Sequence, residues 1–211
     1  MDPRQAKDAL LAAILPDVPF DGWTDAALTH AAERVGLERG ELRGLCPGGS
    51  RNLVAWFSRW ADRETLRALE GRDLSALKVH QRIAAGVETR LDVLAPHREA
   101  VRRALALLTA PQNLALGAKL LYDTVDALWY AAGDNSTDFN FYTKRALLAG
   151  VYGATMLYWL DDRSPESADT RAFLDRRLRD VAMIPKASER VRSWTSRLPD
   201  PLLFLRLARR R

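Results

Sequence analysis

Apolar residues recur along this chain at intervals of three and four, with helix formers between them, and nowhere alternate over the length of a strand. That periodicity predicts an all-α fold. Ten helices fit, at about residues 4 to 15, 24 to 36, 38 to 44, 50 to 71, 76 to 94, 97 to 109, 112 to 132, 140 to 161, 166 to 182 and 201 to 210. Several ends carry a physical signature: Thr24 stands as an N-cap before Asp25, Gly36 stops that helix, and Ser164-Pro165-Glu166 reads as an N-cap followed by a first-turn proline. Residues 183 to 200 mix charge, Ser and Pro, and read as a linker. The 211 residues, 47% hydrophobic and 28% charged, suit one globular domain or two small units sharing a core. No apolar run reaches the roughly 18 residues a membrane span needs.

The net charge of +5 points first to nucleic acid, so its location matters. Residues 1 to 78 hold 11 Lys/Arg against 12 Asp/Glu, residues 79 to 183 hold 13 against 13, and residues 184 to 211 hold 8 against 2. The whole surplus therefore lies at the C-terminal end, beside Pro201-Leu202-Leu203-Phe204-Leu205, a pattern that suits a membrane surface better than DNA.

Within the first 60 residues, a helix bearing Ala31-Ala32, a Gly36-Leu37 turn and a short second helix have helix-turn-helix spacing, because small residues and a glycine turn allow a close crossing. The unit resembles the N-terminal part of TetR-like regulators. Its second helix, Glu38-Arg39-Gly40-Glu41-Leu42-Arg43-Gly44, is a poor reader of DNA: two glutamates repel phosphate and two glycines weaken the helix. The expectation is a retained scaffold without specific DNA binding; the alternative is a ligand-responsive TetR-like repressor.

Catalytic and metal-binding patterns are missing. His30, His80 and His97 lie far apart, and none belongs to an HxxxH or ExxH arrangement. The sequence holds no GxSxG, no Walker A loop and no GxGxxG, and Cys46, the single cysteine, has no nearby histidine and reads as a packing residue. Asp134, Ser136 and Asp138 have calcium-loop spacing, yet Phe139 takes the glycine position and Arg145 the closing glutamate position. Asn135-Ser136-Thr137 matches a glycosylation sequon. The opening MDPRQAKDALL resembles neither a signal nor a transit peptide, so the expected compartment is reducing, a bacterial cytoplasm or, for a trimmed chain, a mitochondrial matrix.

Eight of the 17 aromatics fall between 129 and 159: Trp129, Tyr130, Phe139, Phe141, Tyr142, Tyr152, Tyr158 and Trp159. The stretch from Asp126 to Arg145 joins two apolar helices through a polar elbow, with aromatics and Lys144-Arg145 at the turn. Exposed, such residues form an interaction hot spot; buried, they are core. Periodicity alone leaves both open. The same holds for Leu114, Leu116, Leu120, Leu121, Val125, Leu147, Leu148, Val151, Met156 and Leu160, which either fill a core or line a cavity between helices.

The string DALWYAAGDNSTDFNFYTKRALLAGVY, followed by Asp162-Arg163-Ser164-Pro165 and Asp169-Thr170-Arg171-Ala172-Phe173-Leu174, resembles the coenzyme Q biosynthesis accessory family typified by the ninth Coq protein. Val18-Pro19-Phe20-Asp21-Gly22-Trp23-Thr24 and Leu45-Cys46-Pro47-Gly48-Gly49 match the same family, so the resemblance spans about residues 10 to 182. It implies a TetR-like, all-α protein without catalysis or cofactor of its own. Such a protein binds an isoprenoid lipid or quinone intermediate, or a phospholipid, and docks on the demethoxyubiquinone hydroxylase, the seventh Coq protein. The docking residues it implies are Leu128, Phe141, Tyr142 and Arg145, with the neighbouring Trp129 and Lys144. Phe141 departs from the tryptophan common at that place. Residues 200 to 211 occupy the position of a C-terminal membrane-binding helix.

On a helical wheel counted from Leu202, Arg206, Arg209 and Arg210 fall within about a 100° arc and Leu203, Phe204, Leu205, Leu207 and Ala208 fill the rest, so this helix can lie among lipid headgroups. Residues 1 to 73 are thus expected to form the helix-turn-helix-like region and 74 to 183 a lipid- and partner-binding domain. Residues 184 to 211 are expected to form a basic linker and membrane helix. The lipid contacts fall to Leu116, Leu120, Leu121, Leu147, Leu148, Val151, Met156 and Leu160, and the chain is expected to pair as a homodimer.

Overall fold

The computed structural model describes residues 2–133 and 140–195, the last fourteen of these and Asn140 as backbone alone. The Asp134, Ser136 and Asp138 loop with Phe139, the sequon, and the C-terminal helix with Leu202, Leu203, Phe204, Leu205, Arg206, Arg209 and Arg210 lie outside the described residues. Among the described residues every regular element is helical. The helices are α1 (Pro3–Ile14), α2 (Val18–Asp21), α3 (Asp25–Arg34), α4 (Arg39–Leu45), α5 (Ser50–Glu70), α6 (Val79–Leu94), α7 (Arg98–Leu108), α8 (Leu114–Ala131), α9 (Asn140–Asp161) and α10 (Ala168–Thr195). No single helix among them is long and apolar enough to cross a membrane.

Local chemistry sets the ends. Thr24 accepts from the Ala27 amide at 3.2 Å and starts α3. Gly36, at φ +73°, closes it: the Leu37 amide reaches back to the Ala32 carbonyl at 2.9 Å. The start of α5 is capped from outside, the Ser50 amide donating to Asp25 Oδ1 of α3 at 2.7 Å. That approach leaves no room at Gly49, φ +64°, where a Cβ would stand 2.5 Å from the same oxygen.

Two ends depart from the sequence reading. The last core helix begins at Ala168, and Ser164 and Pro165 cap and open the 3-10 turn Pro165–Ser167 that leads into it, with Ser164 Oγ accepting from the Asp169 amide at 3.0 Å. Its first turn is held by Asp162, which accepts from the Thr170 amide at 2.9 Å, Thr170 Oγ1 at 2.5 Å and the Ser164 amide at 2.7 Å. Burial pushes the Asp162 carboxyl up, but the hydrogen bonds from Ser164 and Thr170 overcome it and hold the group well below the usual carboxylate range. At its far end α10 continues to Thr195, through most of the stretch read as a linker. Pro185 forfeits one helical hydrogen bond, but residues 186 to 194 contain neither Gly nor Pro and nothing in them stops a helix.

One core runs from α1 to α10. On α1, Leu10, Leu11 and Ile14 are fully buried against α3 and α5, each contributing on the order of 1.5–3 kcal/mol. Cys46 packs into the same core, and burial pushes its thiol up. Helix α7 faces two ways. Ala100 accepts a 2.9 Å hydrogen bond from the buried Trp23 indole, and Arg103 donates to the Pro19 carbonyl at 2.7 Å. Val101, Ala104, Leu105 and Leu108 look toward α8 and α9, where the core is hollow.

Candidate functional site

The hollow is a cavity of about 420 Å3 among α5, α6, α7, α8 and α9. Its walls are mostly aliphatic, and on one side the lining residues Leu114 and Leu157 are 54% and 63% exposed, which marks the mouth. Of the lipid-contact residues expected from sequence, Leu120, Leu121 and Met156 line it; Leu116, Leu147, Leu148, Val151 and Leu160 do not. The reason is rotational: α9 turns Tyr152, Gly153, Met156 and Leu157 toward the cavity, while Leu148, Val151 and Leu160 pack into the solid core. Val54, Phe57 and Ser58 of α5, Arg90 and Leu94 of α6, and the α7 face complete the wall, none of them expected from sequence.

A buried polar network closes the inner side. Arg90 is ion-paired with Asp62 at 2.6 Å, and its Nε donates to the Tyr152 hydroxyl at 2.7 Å. Thr124 Oγ1 donates to the same Asp62 oxygen at 2.9 Å. Burial pushes both the Asp62 carboxyl and the Tyr152 phenol up, against the pull of Arg90. Arg90 does carry a sequence signal. It sits on the stripe Ile83, Val87, Leu91, Leu94 that α6 buries, where a cation needs a partner.

At the elbow the expected docking residues separate. Tyr142 is 70% exposed; Trp129, Phe141 and Lys144 are half-buried; Leu128 and Arg145 are buried. Arg145 therefore does not face solvent. It pairs with Asp126 at 2.6 Å, lies 3.3 Å from the Phe141 ring centroid and donates to the Phe141 carbonyl at 3.4 Å. Leu128 belongs to the core because its period on α8 matches that of Leu120, Thr124 and Val125. The Phe141 ring meets Tyr142 edge-on at 5.1 Å, and the Trp129 indole donates to the Lys144 carbonyl at 3.3 Å. Tyr130, one of the aromatics that periodicity left open, is 75% exposed.

No group of three or more His, Cys, Asp or Glu side chains able to hold a metal occurs among the described residues. On α4 both Arg39 and Arg43 reach solvent, and so do Glu38 and Glu41, so that surface carries no net positive charge.

A family model described as COQ9 matches residues 114–185, which include α8 and α9. Over 206 residues, 95% of the chain, the sequence is 35% identical to the ubiquinone biosynthesis protein COQ9, mitochondrial, of Rattus norvegicus and equally to that of Homo sapiens. The chain spans 66% and 65% of those two proteins, just under two thirds of their length. It is 30% identical to ubiquinone biosynthesis protein COQ9-B, mitochondrial, of Xenopus laevis, covering 67% of that protein. Among solved structures, a TetR transcriptional regulator from Nitrosomonas europaea superposes with a TM-score of 0.67 over 83% of this chain and 97% of its own. At 22% identity that likeness shows the fold alone, a TetR-like helical one. The chain belongs to the COQ9 family.

Proposed function

We propose that the protein is a non-catalytic accessory protein of ubiquinone biosynthesis. It binds a prenylated quinone precursor in the α5–α9 cavity and delivers it to a partner demethoxyubiquinone hydroxylase at a membrane surface. The observation that carries this reading is the cavity: its volume of about 420 Å3 falls within the roughly 300–1,000 Å3 of small-molecule pockets, and an aliphatic wall suits a prenyl tail. Membership of a family whose relatives are named for ubiquinone biosynthesis supports the pathway, and their mitochondrial names favour the matrix of the two expected compartments.

The elbow serves as the docking surface. Tyr142 presents an exposed ring, the kind that dominates interface energetics, against Phe141, which Arg145 holds, and Tyr130 adds a second exposed ring on the preceding helix. Pairing into a homodimer and membrane contact through residues 201 to 210 complete the proposal. A repressor role finds no footing on α4, where Glu38 and Glu41 offset Arg39 and Arg43.

Native mass spectrometry of the purified protein, followed by organic extraction, tests the cavity assignment. The wild type is expected to carry a prenylated lipid, and Leu121→Trp, which fills the cavity, is expected to lose it. Equal lipid content in both proteins would overturn the assignment.

A further inference from the structure

The aliphatic cavity has one polar end, and the donors left over there define what it can recognise. The Tyr152 hydroxyl accepts from Arg90 Nε at 2.7 Å, which leaves its own proton without an acceptor among the described residues. Ser58 Oγ receives only a long 3.4 Å contact from Arg90 Nη2, and its proton has no acceptor among the described residues either. Both residues line the cavity, and Tyr152 is 6% exposed. The surplus is therefore one of donors, which calls for an acceptor atom on whatever fills the space.

Charge narrows the class. Arg90 is the single charged side chain on the described cavity wall, and Asp62 already neutralises it at 2.6 Å. A phosphate or carboxylate brought to this end would find no spare cation and would meet the field of Asp62, a costly arrangement in a buried site. A neutral carbonyl or ether oxygen meets no such penalty. Thr124, at the polar end, and Leu114, at the mouth, both line the cavity and lie ten residues apart on α8, about 15 Å of helix. An extended apolar chain fits along that length.

We propose that Tyr152 and Ser58, held by Arg90 and Asp62, form an acceptor-oxygen subsite that selects ligands with a neutral oxygenated head and an apolar tail, and rejects anionic heads. The inference rests on the lipid-cavity reading above and adds the head group and its direction: the oxygen lies inward, the tail runs toward Leu114. The head is shielded in transit and reaches a partner only on release.

Equilibrium binding of three probes to the intact purified chain tests this: farnesylacetone (neutral ketone), farnesane (the hydrocarbon) and farnesyl diphosphate (anion). Tyr152→Phe is expected to weaken farnesylacetone about threefold to tenfold, the worth of one neutral hydrogen bond, while leaving farnesane unchanged; Ser58→Ala is expected to act in the same direction. Farnesyl diphosphate is expected to bind more weakly than the ketone. Should Tyr152→Phe fail to fold, Ser58→Ala carries the comparison, since it keeps the Arg90–Asp62 pair and the Tyr152 hydroxyl. Equal losses for ketone and hydrocarbon, no loss for either in a folded variant, or tightest binding of the diphosphate would each overturn the subsite while leaving a lipid cavity standing. No binding of any probe by the wild type would overturn both.

Discussion

Two arginines, each 5% exposed and each 2.6 Å from its carboxylate, hold two different regions of this molecule. At the cavity, Arg90 pairs with Asp62, only 14% exposed; at the elbow, one carboxylate paired with Arg145 is Asp126, 47% exposed. The distances are the same and the surroundings are not. Asp62 has lost most of its water, so the pair stands or falls together, and removing the cation strands a desolvated anion. Asp126 keeps half its hydration and survives alone. A salt-bridge distance therefore says little about what a pair does; the water left to the weaker-buried partner says more.

The largest effect should come from the sealed pair. Arg90→Ala is expected to cost about 3–5 kcal/mol of stability in thermal or denaturant unfolding, because it strands Asp62 and removes a donor from Tyr152. Arg145→Ala should cost less, about 1.5–3 kcal/mol, the range for hydrogen bonds to charged groups. It should also weaken hydroxylase binding in a pull-down by loosening Phe141 and Tyr142. Equal costs for the two arginines would break the comparison.

Acid sharpens it further. Asp162 is buried like Asp62 but is held by amide and hydroxyl donors, and the two carboxyls shift in opposite directions. The folded value of Asp162 is depressed, so its contribution is present above its ordinary value of 3.8 and is lost as pH falls toward the folded value. Asp62, raised by burial, works the other way: stability falls as pH rises from 3.8 through its folded value. Unfolding between pH 5 and pH 3 should accordingly show a smaller acid loss in Asp162→Asn than in the wild type, and a larger one in Asp62→Asn.

The smallest stability change belongs to Tyr142→Ala, expected within about 0.5 kcal/mol because the ring is exposed. Its hydroxylase affinity should nonetheless fall by about 1–3 kcal/mol. A variant that melts far below wild type yet still binds would return the ring to a packing role.

Sequence periodicity located nearly every helix because each amphipathic stripe is a local property, and Thr24 and Gly36 marked their ends through contacts within a few residues. The four-residue α2 was too short to leave a period and read as loop. The cavity was only half legible. Leu120, Leu121 and Met156 lie on helices whose all-round apolarity invited the reading, but Val54, Phe57 and the α7 face come from elements far away in sequence, and no local pattern says that their packing leaves a gap. The burial of Arg145 was not legible for a related reason. A cation beside an elbow ordinarily reaches water, whereas here Asp126 and Phe141 approach it and the side chain is buried.

Helix α7 has two neighbours to satisfy. One face borders the cavity; the other is pinned by the Trp23 indole on the Ala100 carbonyl and by Arg103 on the Pro19 carbonyl. A bulkier ligand would push α7 outward, and that movement would have to stretch bonds anchored almost eighty residues earlier in the chain. The gauge of the cavity is thus set from outside its own lining. The segment carrying Pro19 and Trp23 acts as the clamp that calibrates the space, and trimming the Trp23 anchor should widen what the cavity accepts without touching a residue that lines it.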